Sequence, residues 1–270
     1  MPELPEVETT VRGLARVLEG QRLTRVRANR GDLRRPFPPD LVQALTGARV
    51  TALGRRAKYG LIHTDRGRTL VFHLGMSGRW RIDPATPDKH DHVLLETESG
   101  HVLALNDPRR FGSLDLVPTD GLDRWPQFAA MGPEPLGEDL TPAHLKAAFA
   151  GRKQAIKLLL LDQRIVAGLG NIYVCEALFR AGIAPAKAAG LVTLPALKRL
   201  VPAIRQVLEE SIADGGSTLR DYARPDGELG YFATRFLVYG REGEPCRCGG
   251  TVRRIVQGGR STWHCPACQT

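Results

Sequence analysis

The chain has 270 residues, 42% of them hydrophobic, with a formal net charge of +9 and a pI near 9.7. That length suits two domains with separate cores, and the basic balance points to a polyanionic partner. No apolar run approaches the roughly 18–20 residues of a membrane span and no signal-peptide pattern opens the chain, so a soluble cytoplasmic protein with no membrane partner is expected. Four of five cysteines fall at Cys246, Cys248, Cys265 and Cys268, which in a cytosolic chain suggests metal rather than disulfides.

The opening stretch Pro2-Glu3-Leu4-Pro5-Glu6 carries two readings. If the initiator Met1 is removed, Pro2 presents a secondary amine, and a chain-terminal amine with a pKa near ~8 is partly unprotonated at neutral pH. Such an amine beside a carbon that can become an iminium is a covalent catalyst. Val7, Val11, Leu14 and Leu18 recur at helical spacing, so Glu3 and Glu6 lie at a helix start. Acids and proline there are equally ordinary capping chemistry.

From about Gln21 to Val117 the pattern alternates in short runs, among them Thr69–Leu74, His92–Glu96 and Val102–Leu105, which predicts a β-sandwich or barrel after one helix. Pro118 to Thr141, rich in Pro, Gly and acids, reads as a linker. Helices are predicted over Pro142–Ala150 with Thr141 as cap, Lys153–Gln163, Ile172–Ala181 with Asn171 as cap, and Thr193–Ala213. The Gly-, Ser- and Asp-rich stretch Asp214–Tyr231 is a long loop, and loops of that length are usually functional or disordered. The turn Gly168-Leu169-Gly170-Asn171 leads into a helix and offers backbone donors to phosphate. In the last module Cys246-x-Cys248 and Cys265-x-x-Cys268 form a strong structural-zinc signal, one ion per chain, because a small hairpin without a core needs a metal to fold. One intervening residue in the first pair requires a bent knuckle, since neighbours at that spacing point to opposite faces of a strand.

These motifs resemble, in order, the bacterial formamidopyrimidine-DNA glycosylases: the opening Met1 to Thr9, Lys58 in Arg55–Gly60, Asn106–Gly112, the helical turn, the Gly215–Tyr222 loop and the finger. The first pair of cysteines departs from the family's wider spacing. The resemblance implies a bifunctional base-excision enzyme that removes 8-oxoguanine and ring-opened purines from damaged double-stranded DNA, then cleaves the abasic site by β,δ-elimination. Its catalytic set is Pro2, Glu3, Glu6 and Lys58, with Lys58 beside the phosphate next to the lesion and His73 a phosphate or active-site contact. A base enzyme leaves a hole in the stack, which Met76 and Phe111 are suited to fill while Arg109 reads the orphaned cytosine. The alternative is a Pro-Arg turn with Phe111 in the core. Asn171 and Arg260 match phosphate contacts, Glu176 an acid near the damaged base, and Gly216, Ser217, Thr218, Leu219, Arg220 and Tyr222 a lesion-recognition loop. Locally Glu176 is an exposed helical acid, His73 a strand histidine, Lys58 a solvated turn residue and Cys175 a buried thiol.

The expected fold is α+β: an N-terminal β-sandwich with a leading helix over 1–117, a linker over 118–141, and a helical domain over 142–233. The last contains a helix–two-turn–helix and the recognition loop, and a zinc-finger hairpin follows over 234–270. The enzyme is expected to act as a monomer in a cleft between domains. Two competing readings are a sibling acting on oxidised pyrimidines and a non-enzymatic zinc-dependent binder of bent duplex. Arg109-Arg110-Phe111 and the long loop argue against the first, and a free Pro2 amine against the second.

Overall fold

Helix α1 (Leu4–Leu18) starts where its capping residues dictate. Glu3 is the N-cap in extended backbone, and Glu6 reaches back to accept the Glu3 N–H at 2.8 Å. Leu4, Val7, Val11, Leu14 and Leu18 are buried, so the apolar stripe faces the core. The computed structural model describes residues 2–218 and 223–270, which pack as two units: 1–129 with 214–231, and 130–213 with 232–270.

In the first unit α1 is followed by β1 (Leu23–Ala28), α2 (Leu41–Leu45), β2 (Val50–Arg56), β3 (Tyr59–Thr64), β4 (Arg68–His73), β5 (Arg79–Ile82), β6 (Asp91–Thr97), β7 (Val102–Asn106), β8 (Ser113–Pro118) and α3 (Pro126–Ala129). The strands form two four-stranded sheets, ordered β1-β6-β7-β5 and β2-β3-β4-β8, every pairing antiparallel. Both sheets and α1 contribute to one core that includes Leu14, Leu18, Val26, Ile62, Phe72 and Trp80. It is a sandwich, not a barrel. Phe72 meets Trp80 edge-on at 5.7 Å, and its ring occupies the space a side chain at residue 60 would need, so Gly60 is required there.

The second unit contains α4 (Pro142–Phe149), α5 (Ile156–Leu160), α6 (Asn171–Ala181), α7 (Leu194–Ala213) and the hairpin β9 (Arg253–Gln257) with β10 (Arg260–His264). Thr141 caps α4 by accepting the His144 N–H at 3.0 Å. Helices α6 and α7 are joined by a buried Tyr173–Ser211 hydroxyl pair at 2.7 Å and by an Arg180–Glu210 ion pair. Among the described residues no helix is long and apolar enough to cross a membrane.

Four expectations change. The helix predicted over Lys153–Gln163 is only Ile156–Leu160, because Gln163 folds back to bond the Leu161 and Leu169 carbonyls and the Gly168 N–H, which turns the chain away. Gly170, not Asn171, is the N-cap of α6, leaving the Asn171 side chain for another partner. The 118–141 linker does not stand apart. Trp125 and Phe128 pack edge-on against Tyr59 in the first unit, while Gly132 donates to Gln163 in the second. Nor does the 214–231 segment belong to the helical unit: Pro225 accepts the Ile82 N–H at 2.9 Å, and its ring lies against Gly13.

Candidate nucleic-acid interface and catalytic end

In the first unit the chain start is buried: Pro2, Glu3 and Glu6 are all inside. One Glu6 oxygen accepts the Glu3 N–H, and the other accepts the Ser217 N–H, each at 2.8 Å. A single carboxylate therefore holds the catalytic candidates and the near arm of the 214–231 loop. Across the base of that loop, Gly230 donates to the Thr218 hydroxyl at 2.8 Å and Tyr231 donates to the Asp214 carbonyl at 3.0 Å. Gly216 and Ser217 are buried and Thr218 is half-buried, while Leu219, Arg220 and Tyr222 lie outside the described residues.

Lys58 is 7% exposed, in the tight β2–β3 turn beside left-handed Ala57, so it is not a solvated turn residue. His73, at the end of β4, accepts the Gly75 N–H on Nδ1 at 3.0 Å, which leaves Nε2 to carry the proton of a neutral ring. Burial first, then the positive charges of Lys58, Arg34 and Arg35, lower its pKa to about 4. An open hollow of about 560 Å³ is lined by His73 together with Arg34, Met76, Arg109, Arg110 and Phe111. Met76 and Phe111 are 40% and 43% exposed, and the Arg109 guanidinium lies 4.7 Å over the Phe111 ring. Phe111 is thus a surface residue, not part of the core, and the three wedge candidates are together.

In the second unit the Asn171 amide donates to the Ser261 carbonyl at 2.9 Å. Lys157, fully buried, donates to the same carbonyl at 3.1 Å and to the Thr262 hydroxyl at 2.5 Å. These bonds fasten the finger hairpin beside the α6 N-terminus, with Arg260 exposed at the first position of β10. Sequence reasoning passed over Lys157; the available signal was a lysine interrupting the apolar run of α5.

Glu176 is corrected. It is not an exposed helical acid: fully buried, it accepts backbone N–H groups from Leu237, Val238 and Tyr239 at 2.9–3.1 Å. It clamps the turn that leads into the finger. Cys175 is buried, in a cluster with Phe179, Val238 and Val252.

The sulfurs of Cys246, Cys248, Cys265 and Cys268 all lie within 4.8 Å of one another, with nearest pairs at 3.5 and 3.6 Å. Tetrahedral zinc, with Zn–S near ~2.3 Å, places its sulfurs about 3.8 Å apart, so the four thiolates fit one structural zinc ion. The short Cys246-x-Cys248 spacing is accommodated by a knuckle, not a strand: Cys246 and Gly250 pair, and Gly249 turns at φ 86°.

Residues 1–114 match the formamidopyrimidine-DNA glycosylase N-terminal domain, 131–223 the H2TH domain of the same glycosylase, and 243–270 a zinc finger found in FPG and IleRS. Formamidopyrimidine-DNA glycosylases of Novosphingobium aromaticivorans and Erythrobacter litoralis are 74% and 71% identical, each alignment covering 100% of both chains. Among solved structures, a Lactococcus lactis FPG mutant in complex with Fapy-dG-containing DNA superposes with a TM-score of 0.92 at 34% identity over 100% of both chains. The MutM (FPG) protein of Thermus thermophilus gives 0.89 at 42% identity, covering 99% of this chain and 98% of its own. With the sandwich, the α6 turn and the four-cysteine finger in place, this chain belongs to the formamidopyrimidine-DNA glycosylase family.

Proposed function

We propose that this protein is a base-excision repair enzyme that removes oxidised purines, 8-oxoguanine and formamidopyrimidines, from duplex DNA and cleaves the resulting abasic strand. The observation that carries the reading is the Glu6 carboxylate, which ties the buried Pro2–Glu3 start and the Ser217 arm of the loop to one anchor. A relative from Lactococcus lactis bound to abasic-site DNA supports the same substrate class.

After Met1 removal, the Pro2 nitrogen lone pair attacks the sugar C1′, the base departs with the electrons of its bond to C1′, and the proton shed by the nitrogen neutralises the departing base. The sugar C1′–O4′ bond then opens, Glu3 delivers a proton to O4′, and the nitrogen becomes an iminium. Its positive charge acidifies the neighbouring sugar hydrogens, and their successive loss expels the 3′ and then the 5′ phosphate. A secondary amine suits the task because its iminium has no N–H to lose. Lys58 balances charge beside the phosphate, and Glu6 positions the chain start. Met76 and Phe111 fill the vacated stack while Arg109 reads the opposite cytosine; Asn171 and Arg260 grip phosphate. The enzyme acts as a monomer, since one chain supplies every assigned residue, and zinc-binding thiolates suit a reducing cytoplasm.

Borohydride reduction during turnover, followed by peptide mapping of the trapped protein–DNA adduct, tests the reading. The adduct is expected on Pro2. An adduct on a lysine, or none from active enzyme with Pro2 free, rejects the mechanism, and binding without strand cleavage would favour the pure DNA-binder.

A further inference from the structure

The three exposed wedge side chains stand on two separate loops, Met76 after β4 and Arg109 with Phe111 before β8. What joins these loops is a pair of buried polar side chains that the proposed reaction does not use. The Ser77 hydroxyl donates to Asp107 Oδ1 at 2.6 Å and accepts the Arg109 N–H at 3.2 Å. The other Asp107 oxygen accepts the Gly112 N–H at 2.8 Å. Asp107 is fully buried and Ser77 nearly so.

Asp107 is itself pinned. Its N–H donates to the His90 carbonyl at 3.0 Å, and its own carbonyl meets His92 Nε2 at 2.9 Å and accepts the Arg110 N–H at 3.2 Å. That last bond closes a turn in which Arg110 adopts the left-handed region, φ 58°. A non-glycine residue there is strained and persists only where its surroundings over-determine it. The loops also touch through backbone: Gly75 sits at φ 62°, and a Cβ on it would come within 2.3 Å of the Phe111 carbonyl carbon. The close backbone approach and the hydroxyl–carboxylate bridge together set the separation of Met76 from the Arg109–Phe111 pair, and the bridge is the part that reaches the Arg109 N–H.

We infer that Ser77 and Asp107 are positioning residues for opposite-base specificity. They set the Arg109 backbone against Met76, so that the guanidinium reaches a base edge in fixed register. The inference rests on the reading of Arg109 given above. Bidentate base contacts depend on such register, because a displaced guanidinium loses one of its two bonds.

The test is a double-mutant cycle in the full-length zinc-loaded protein. Single-turnover excision is measured for 8-oxoguanine opposite cytosine and opposite adenine, in wild type, Ser77→Ala, Arg109→Ala and the double variant. The quantity read is the cytosine-to-adenine rate ratio, which simple loss of folded enzyme does not move because it scales both rates. Ser77→Ala should lower this ratio about fivefold to tenfold, within the range of one base contact. The double variant should lose no more than Arg109→Ala alone, because residues acting through one another are not additive. Asp107→Asn, which keeps the volume and offers one acceptor fewer, serves as the second variant should Ser77→Ala not fold, and should also lower the ratio. An unchanged ratio in Ser77→Ala beside a reduced one in Arg109→Ala overturns the positioning role and leaves the reading of Arg109 intact. Additive losses also overturn it. An unchanged ratio in Arg109→Ala removes both.

Discussion

Two residues carry more than their local sequence suggests. Glu6 serves two backbone donors with two oxygens, so Glu6→Gln keeps the shape but turns an amide NH₂ toward one of them. Losing a hydrogen bond to a charged group costs about 1.5–3 kcal/mol, and a lowered urea midpoint together with slower borohydride trapping is expected. Wild-type values for both would show that the anchor is dispensable. His73 has its pKa depressed to about 4, below the ordinary 6.5. As pH falls below 6.5 the unfolded chain takes up the proton first, so stability is lost between 6.5 and about 4 and regained as pH rises. His73→Gln removes that contribution. Urea unfolding at pH 7 and pH 5 should show a smaller acid loss in the variant than in wild type.

At the level of elements, the finger is held by two devices outside its own hairpin. Glu176 on α6 clamps residues 237–239, and Lys157 on α5 holds the Ser261 carbonyl. Glu176→Ala leaves three amides without this acceptor, and at about 1–3 kcal/mol for each buried unsatisfied group the expected destabilisation is several kcal/mol. Thermal unfolding should report it, and a change within ±0.5 kcal/mol would contradict the clamp. Zinc is the third support. The hairpin offers little core of its own, so chelation should unfold residues 246–268 and abolish DNA binding, read by gel shift and by hydrogen exchange confined to the finger.

For the molecule as a whole, the +9 charge sets the scale of attraction to DNA. Affinity should fall steeply with salt, log K against log salt having a slope proportional to the phosphates neutralised. Arg260→Ala, at an exposed hairpin position, should reduce the magnitude of that slope by about 0.9 and weaken lesion and undamaged duplex alike. A lesion-selective loss would instead place Arg260 in base recognition.

Sequence alone specified what local chemistry controls. The α1 start follows from Glu3, Pro5 and Glu6; the α4 cap follows from Thr141; the sandwich follows from short alternating strands. The metal follows from four thiols at characteristic spacing. Motif order identified the family for the same reason, since each motif is short and read in place. Contacts between residues distant in the chain were decided only by tertiary structure. Glu176 sits at an ordinary helical position, and nothing nearby announces amides some 60 residues downstream. Lys157 and Ser261 are separated by 104 positions, and Ser217 and Glu6 by 211. The 214–231 loop is placed by sequence within the helical domain of 142–233, yet its anchors, Glu6 and Ile82, belong to the first unit. A carboxylate's role depends on which donors surround it after folding, and that arrangement is a property of packing rather than of any window of sequence.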